Sequence, residues 1–121
     1  MECYKLPNGD RIGPDASVVL GTRWNALTSA HQDEAYAPVA PNFVVKLRSA
    51  SDSAAYVHRR MLCWMNGGTQ EAWSIDRFSN PPVVNIYMVA NQQIFMQTLT
   101  NPPRIRSTIL NGFVMTMRNI L

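Results

Sequence analysis

The side chains that could do chemistry are few. Phe43-Val44-Val45-Lys46-Leu47-Arg48 is the clearest strand in the chain, apolar except for its two cations. Successive strand residues point to opposite faces, so Lys46 and Arg48 share one face and form a basic patch of the kind that holds phosphates. Asp15, following Pro14, places a carboxylate at the entrance of another strand, Ala16 to Leu20. Carboxylate oxygen is what a hard cation such as Mg²⁺ takes as a ligand, although an isolated Pro-Asp is far more often a turn. Lys46 has two structural readings beside the chemical one. It can snorkel from the strand end, or it can pair with Asp15 if both face the same cleft.

A third cation comes from a helix. Ser51-Asp52-Ser53 offers N-cap residues, Ala54 to Asn66 has helical periodicity, and Gly67-Gly68 supplies the stop. At about 100° per residue, Ala54, Val57, Met61, Trp64 and Met65 share one arc and form the buried stripe. Arg59 points away from that stripe. Arg60 lies roughly 80° from its centre, where a long side chain reaches along the sheet surface. Ser49, Ser51, Asp52 and Ser53 serve this helix start and affect function only through it. Trp64, Met61 and Met65 fit a core stripe better than a base-stacking platform. His31 and His58 have no second ligand at a metal spacing and read as ordinary surface residues. Asp76, at a strand end before a turn, reads as an Asx-turn former.

A chain of 121 residues with 46% hydrophobic and 16% charged residues has the size and composition of one globular domain with a real core. Its net charge of +3 permits a nucleic-acid partner, but there is no basic run that would make an arm or tail. No stretch reaches the length of a membrane span, and the N-terminus has no signal-peptide pattern. Cys3 and Cys63 make neither a metal spacing nor a disulfide framework, and fit free thiols in the cytoplasm. Asn8-Gly9 predicts a tight hairpin near the N-terminus. A short helix is expected around Trp24 and Leu27, then a loop through Pro38 and Pro41. Strands follow at Gln70 to Asp76, Val83 to Met88 and Gln93 to Leu99, and a strand with a helical turn closes the chain. Strand, loop, strand, helix and then a strand meander predict an α/β or α+β fold with a mixed sheet.

Several of these segments resemble a known family when taken in order. Pro14-Asp15, Pro41-Asn42-Phe43-Val44-Val45 leading to Arg48-Ser49, Ser51-Asp52-Ser53, Gly67-Gly68-Thr69-Gln70, Trp73-Ser74-Ile75-Asp76 and Leu110-Asn111-Gly112-Phe113-Val114 occur in one register. That register resembles the Uma-two family of restriction-endonuclease-like proteins, in the PD-(D/E)xK nuclease superfamily. The resemblance runs from Leu6-Pro7-Asn8-Gly9 to Asn119. It implies a single domain over residues 1–121, corresponding to the C-terminal two-thirds of the family domain, with a mixed sheet flanked by helices and without the family's leading helix and hairpin. It also implies Mg²⁺-dependent endonucleolytic cleavage of DNA. In the family, a strand aspartate and a following strand glutamate hold the metal, and a helix lysine assists at the scissile phosphate. Asp15 matches the aspartate position, Lys46 stands at the glutamate position, and Arg60 at the lysine position.

Two of these three matches alter the chemistry. A charged ammonium offers no lone pair to a cation. At about 4 Å and an effective dielectric near 20, each unit-charge pair is worth roughly 4 kcal/mol, and a divalent ion would be repelled about twice as strongly. Arginine keeps a phosphate-binding charge but does not release a proton at ordinary pH. The expectation is therefore a nuclease-type domain impaired in catalysis. A non-catalytic DNA-binding module using Lys46, Arg48 and Arg60, and a remnant without function, are the alternatives. A homodimer is open to it, but no sequence feature argues for one.

Overall fold

The computed structural model describes residues 15–32 and 39–121, and the backbone of residues 4–5 and 11–12. Nine strands and three helices are assigned among the described residues. Strand β1 (Tyr4–Lys5) pairs antiparallel with β2 (Arg11–Ile12). The Asn8-Gly9 turn expected between them lies outside the described residues.

Five strands form the central sheet. These are β3 (Ala16–Val18), β4 (Phe43–Leu47), β5 (Glu71–Asp76), β6 (Val83–Ala90) and β7 (Gln93–Thr100), hydrogen-bonded in that order. Only β4 and β5 are parallel, and every other neighbouring pair is antiparallel. A parallel pair needs a crossover rather than a hairpin, and helix α3 (Ala54–Asn66) supplies it. The mixed sheet expected from the order of elements is thus present. Between β6 and β7, Asn91 and Gln92 both have positive φ, which suits the twist of a two-residue hairpin.

Helix α3 begins and ends where its sequence dictates. The Ser53 side chain accepts the Tyr56 N–H, satisfying one of the first-turn donors. At the other end Gly67 stays right-handed and Gly68 takes φ +115°. A Cβ at Gly68 would also lie 3.3 Å from the Ala40 Cβ, so both conformation and space favour glycine there.

Alternation along the strands divides the core in two. Val44, Ala72 and Tyr87 face α3, where Val57, Met61, Trp64 and Met65 close over them. Helix α1 (Gly21–Asn25) adds Trp24 at the margin of this layer. Phe43, Val45, Trp73, Ile75, Val84 and Ile86 face the other way, against Ile105 and Met117. β5 is buried along its whole length, as the central strand should be. The second layer is closed by β8 (Arg104–Arg106) and β9 (Val114–Thr116), an antiparallel pair beyond Pro102-Pro103. The strand at 104–106 was not expected, because Arg-Ile-Arg carries a single apolar residue. Its one buried side chain, Ile105, docks onto the sheet.

The short helix expected around Trp24 forms at Gly21–Asn25, and helix α2 (Ser29–Gln32) follows. β3 stops at Val18, before the expected Leu20. The Leu20 N–H turns to the Asn42 side chain at 2.9 Å instead of continuing the ladder.

Candidate functional site

The register of β3 on β4 brings the two charged candidates together. Ala16 lies opposite Val45, and the Asp15 N–H donates to the Val45 carbonyl at 3.2 Å, so Asp15 lies beside Lys46 on the adjoining strand. Lys46 Nζ is 3.7 Å from Asp15 Oδ2, with the two side chains 22% and 31% exposed. The same oxygen accepts the Leu47 N–H at 2.6 Å. Asp15 is therefore pinned to the end of β4 by a backbone hydrogen bond and an ammonium group.

Lys46 stands between two clefts. The larger, about 420 Å³, is lined by Asp15, Lys46, Leu47, Arg48 and Arg77, with Asn119 and Ile120 as its C-terminal wall. The smaller, about 220 Å³, is lined by Lys46, Asp52, Tyr56, Arg60, Met61 and Trp64. Lys46 and Arg60 therefore share a cleft, and Asp15 and Arg60 line separate ones. Arg60 has no ion pair among the described residues.

Arg48 has partners of its own. One guanidinium nitrogen, Nη1, lies 2.8 Å from Asp76 Oδ2, and Nε donates to the Asp52 carbonyl at 2.9 Å. This ties the end of β4 to both β5 and the approach to α3. Asp76 also accepts the backbone N–H groups of Phe78 and Ser79, each at 3.0 Å, and the Ser79 hydroxyl at 3.1 Å. Burial pushes the Asp76 pKa up, but Arg48 and these hydrogen bonds outweigh it and hold the group below the ordinary carboxylate range.

Other polar residues fix the surrounding fold, and of these the sequence reading names only His58. Glu71 is 0% exposed. Its Oε2 accepts the Trp73 indole N–H at 2.8 Å, and its Oε1 accepts the Ser107 hydroxyl and the N–H groups of Thr108 and Ile109 at 2.9, 3.0 and 3.1 Å. One carboxyl group thereby fastens the C-terminal segment, which carries the Asn119-Ile120 wall, to the central strand. A Glu next to Ala72-Trp73 at the start of a central strand is the signal that points to it. Arg23 donates from Nη1 to the carbonyls of Ala40 and Gly68, both at 3.0 Å. Arg77 follows Asp76 at the rim of the larger cleft. His58 Nδ1 lies 2.8 Å from the Tyr87 hydroxyl, so this histidine has a specific partner although its side chain is exposed.

A metal needs several donors at one point. Among the described residues no group of three or more His, Cys, Asp and Glu gathers. The oxygen donor at the Asp15 end of β4 is a single carboxylate with an ammonium beside it. No helix among the described residues is long and apolar enough to cross a membrane.

Comparison with known proteins adds context to this geometry. The Uma2 family model, described as "Putative restriction endonuclease", matches residues 2–118. Among solved structures, the crystal structure of a "putative nuclease" belonging to DUF820 from Anabaena variabilis is similar, with a TM-score of 0.65 and 22% identity. The match covers 84% of this chain and 53% of that one, so the chain spans about half the neighbour's length. At this identity the likeness concerns the fold. The comparison with curated proteins gives no match.

Proposed function

The chain belongs to the Uma2 family of restriction-endonuclease-like proteins, and from that premise we propose that it is a nuclease-type DNA-binding domain whose own metal-dependent hydrolysis is blocked at Lys46. The observation that carries this reading is the ion pair between Lys46 Nζ and Asp15 Oδ2 at 3.7 Å. Nucleases of this fold generally use a divalent metal. Such a cation requires oxygen ligands, commonly one or two carboxylates plus substrate phosphate. The described residues do not fit it: Asp15 is the single carboxylate lining the larger cleft, and the neighbouring position holds a positive charge. At about 4 Å, that ammonium would oppose a divalent ion by roughly 8 kcal/mol at an effective dielectric near 20.

The same substitutions favour holding a phosphate. Lys46 and Arg60 line one cleft, Arg60 free of ion pairs among the described residues. Arg48, committed to Asp76 and Asp52, positions the end of β4 and is not counted among the phosphate-binding cations. Asp15 then serves to orient Lys46 rather than to hold metal. Two cations that grip a phosphodiester beside a site without a metal give binding without cleavage.

A plasmid-nicking assay over a Mg²⁺ and Mn²⁺ series tests the proposal, comparing the unaltered chain with Asp15→Ala and with Lys46→Glu, which restores a second carboxylate. No nicking by the unaltered chain is expected. Metal-dependent nicking by it, lost in Asp15→Ala, would overturn the proposal.

A further inference from the structure

The smaller cleft contains more than cations. Tyr56 lines it beside Lys46 and Arg60 and is 41% exposed, although its helix buries Val57, Met61, Trp64 and Met65. Tyr56 and Arg60 are four residues apart on α3, one turn, with roughly 5–6 Å between Cβ atoms at that spacing. This is comparable to the separation of a base from its own phosphate within one nucleotide. Lys46 approaches the same space from β4. The one acidic side chain in the cleft, Asp52, is turned to Ser49, whose hydroxyl donates to Asp52 Oδ2 at 2.9 Å.

We propose that this cleft binds single-stranded DNA, with a phosphate held between Lys46 and Arg60 and an unpaired base stacked on the Tyr56 ring. The inference rests on the phosphate-binding reading above and adds the class of strand. A ring stacks only on a base whose face is uncovered, and in a duplex those faces are covered by neighbouring base pairs. A space of about 220 Å³ has room for part of one strand. Cations that track the backbone combined with an exposed aromatic ring are the arrangement by which proteins hold single strands without reading sequence. Recognition is then by stacking and charge, and any sequence preference is weak.

Fluorescence anisotropy with a labelled oligothymidylate of roughly a dozen nucleotides, single-stranded or annealed to its complement, tests this on the full chain at low salt. The single strand is expected to bind more tightly than the duplex. Loss of one stacked base is worth roughly 1–3 kcal/mol, so Tyr56→Ala should weaken single-strand binding about 5- to 150-fold while leaving duplex binding unchanged. Tyr56→Phe, which keeps the ring, should bind as the unaltered chain does. Because Tyr56 is exposed, circular dichroism should show the fold of both variants intact. Equal affinity for the two forms, or a Tyr56→Ala variant that binds the single strand normally, overturns this inference and leaves phosphate binding by Lys46 and Arg60 standing. Binding of neither form overturns both.

Discussion

Removing the Glu71 carboxyl group should loosen the C-terminal layer and the wall of the Asp15 cleft together. In Glu71→Ala four donors lose their acceptor: the Trp73 indole N–H, the Ser107 hydroxyl, and the Thr108 and Ile109 N–H groups. Trp73 and Ser107 are buried, and a buried donor left unpaired costs roughly 1–3 kcal/mol. Thr108 and Ile109 are closer to the surface and can turn to water. Two stranded donors thus give about 2–6 kcal/mol, against a total stability on the order of 6–18 kcal/mol for a chain of this length. Glu71→Gln is the sharper comparison. An amide can still accept from the 107–109 segment through its oxygen, but it sets a second donor against the Trp73 N–H, so about 1–3 kcal/mol should be lost. Urea unfolding followed by tryptophan fluorescence measures both, and Trp73 reports on its own contact. Amide exchange at Thr108 and Ile109 should quicken in Glu71→Ala more than exchange in α3. A loss below about 1 kcal/mol, or unchanged exchange at Ile109, would refute the assignment of Glu71 as the fastener.

Other expectations follow from the same contacts. Asp76 has a folded-state pKa below its unfolded value, so its contribution is present above the unfolded pKa near 3.8 and is lost as pH falls through the lower folded value. Arg48→Ala should cost about 2–3 kcal/mol, less than the roughly 3–5 kcal/mol of a fully buried pair because Arg48 is 21% exposed. It should also flatten the acid limb of the stability profile, as read by denaturant titrations at a series of pH values. Burial raises the Tyr87 pKa from 10 to about 12, so its contribution is complete below pH 10 and is lost as pH rises towards 12. Ultraviolet titration of phenolate should show a component that ionises only with alkaline unfolding, and that component should vanish in Tyr87→Phe. If Lys46 and Arg60 make two phosphate contacts, the logarithm of the single-strand binding constant should fall with the logarithm of salt concentration at a slope near about −1.4. Each of Lys46→Ala and Arg60→Ala should lower that slope by about half.

What could be read from the sequence was what local chemistry determines. Ser53, the apolar stripe and Gly67-Gly68 specify α3 through caps and period within one segment; its bounds are those expected, and of the stripe only Ala54, in the first turn, is exposed. The placement of Arg60 near the sheet followed from the same periodicity. The contact between Asp15 and Lys46 could be framed only as a condition, because it depends on the register of β3 on β4 across a long connection. The fastening role of Glu71 is not legible because three of its four donors lie 36 to 38 residues further along, in a segment whose own pattern is weak. Arg48 shows a limit of alternation. Period two places it on the face of Lys46, but not against Asp76, whose own role in the turn at Phe78 and Ser79 was legible from its place at a strand end.

If Lys46 makes this a phosphate-holding site in place of a metal-holding one, the unaltered chain takes up no divalent cation by itself. Titration calorimetry with Mn²⁺ alone tests it without requiring DNA or turnover. No saturable uptake is expected for the unaltered chain, and saturable uptake for Lys46→Glu, where the ammonium is replaced by a second carboxylate beside Asp15. Saturable Mn²⁺ binding by the unaltered chain, abolished by Asp15→Ala, would contradict it.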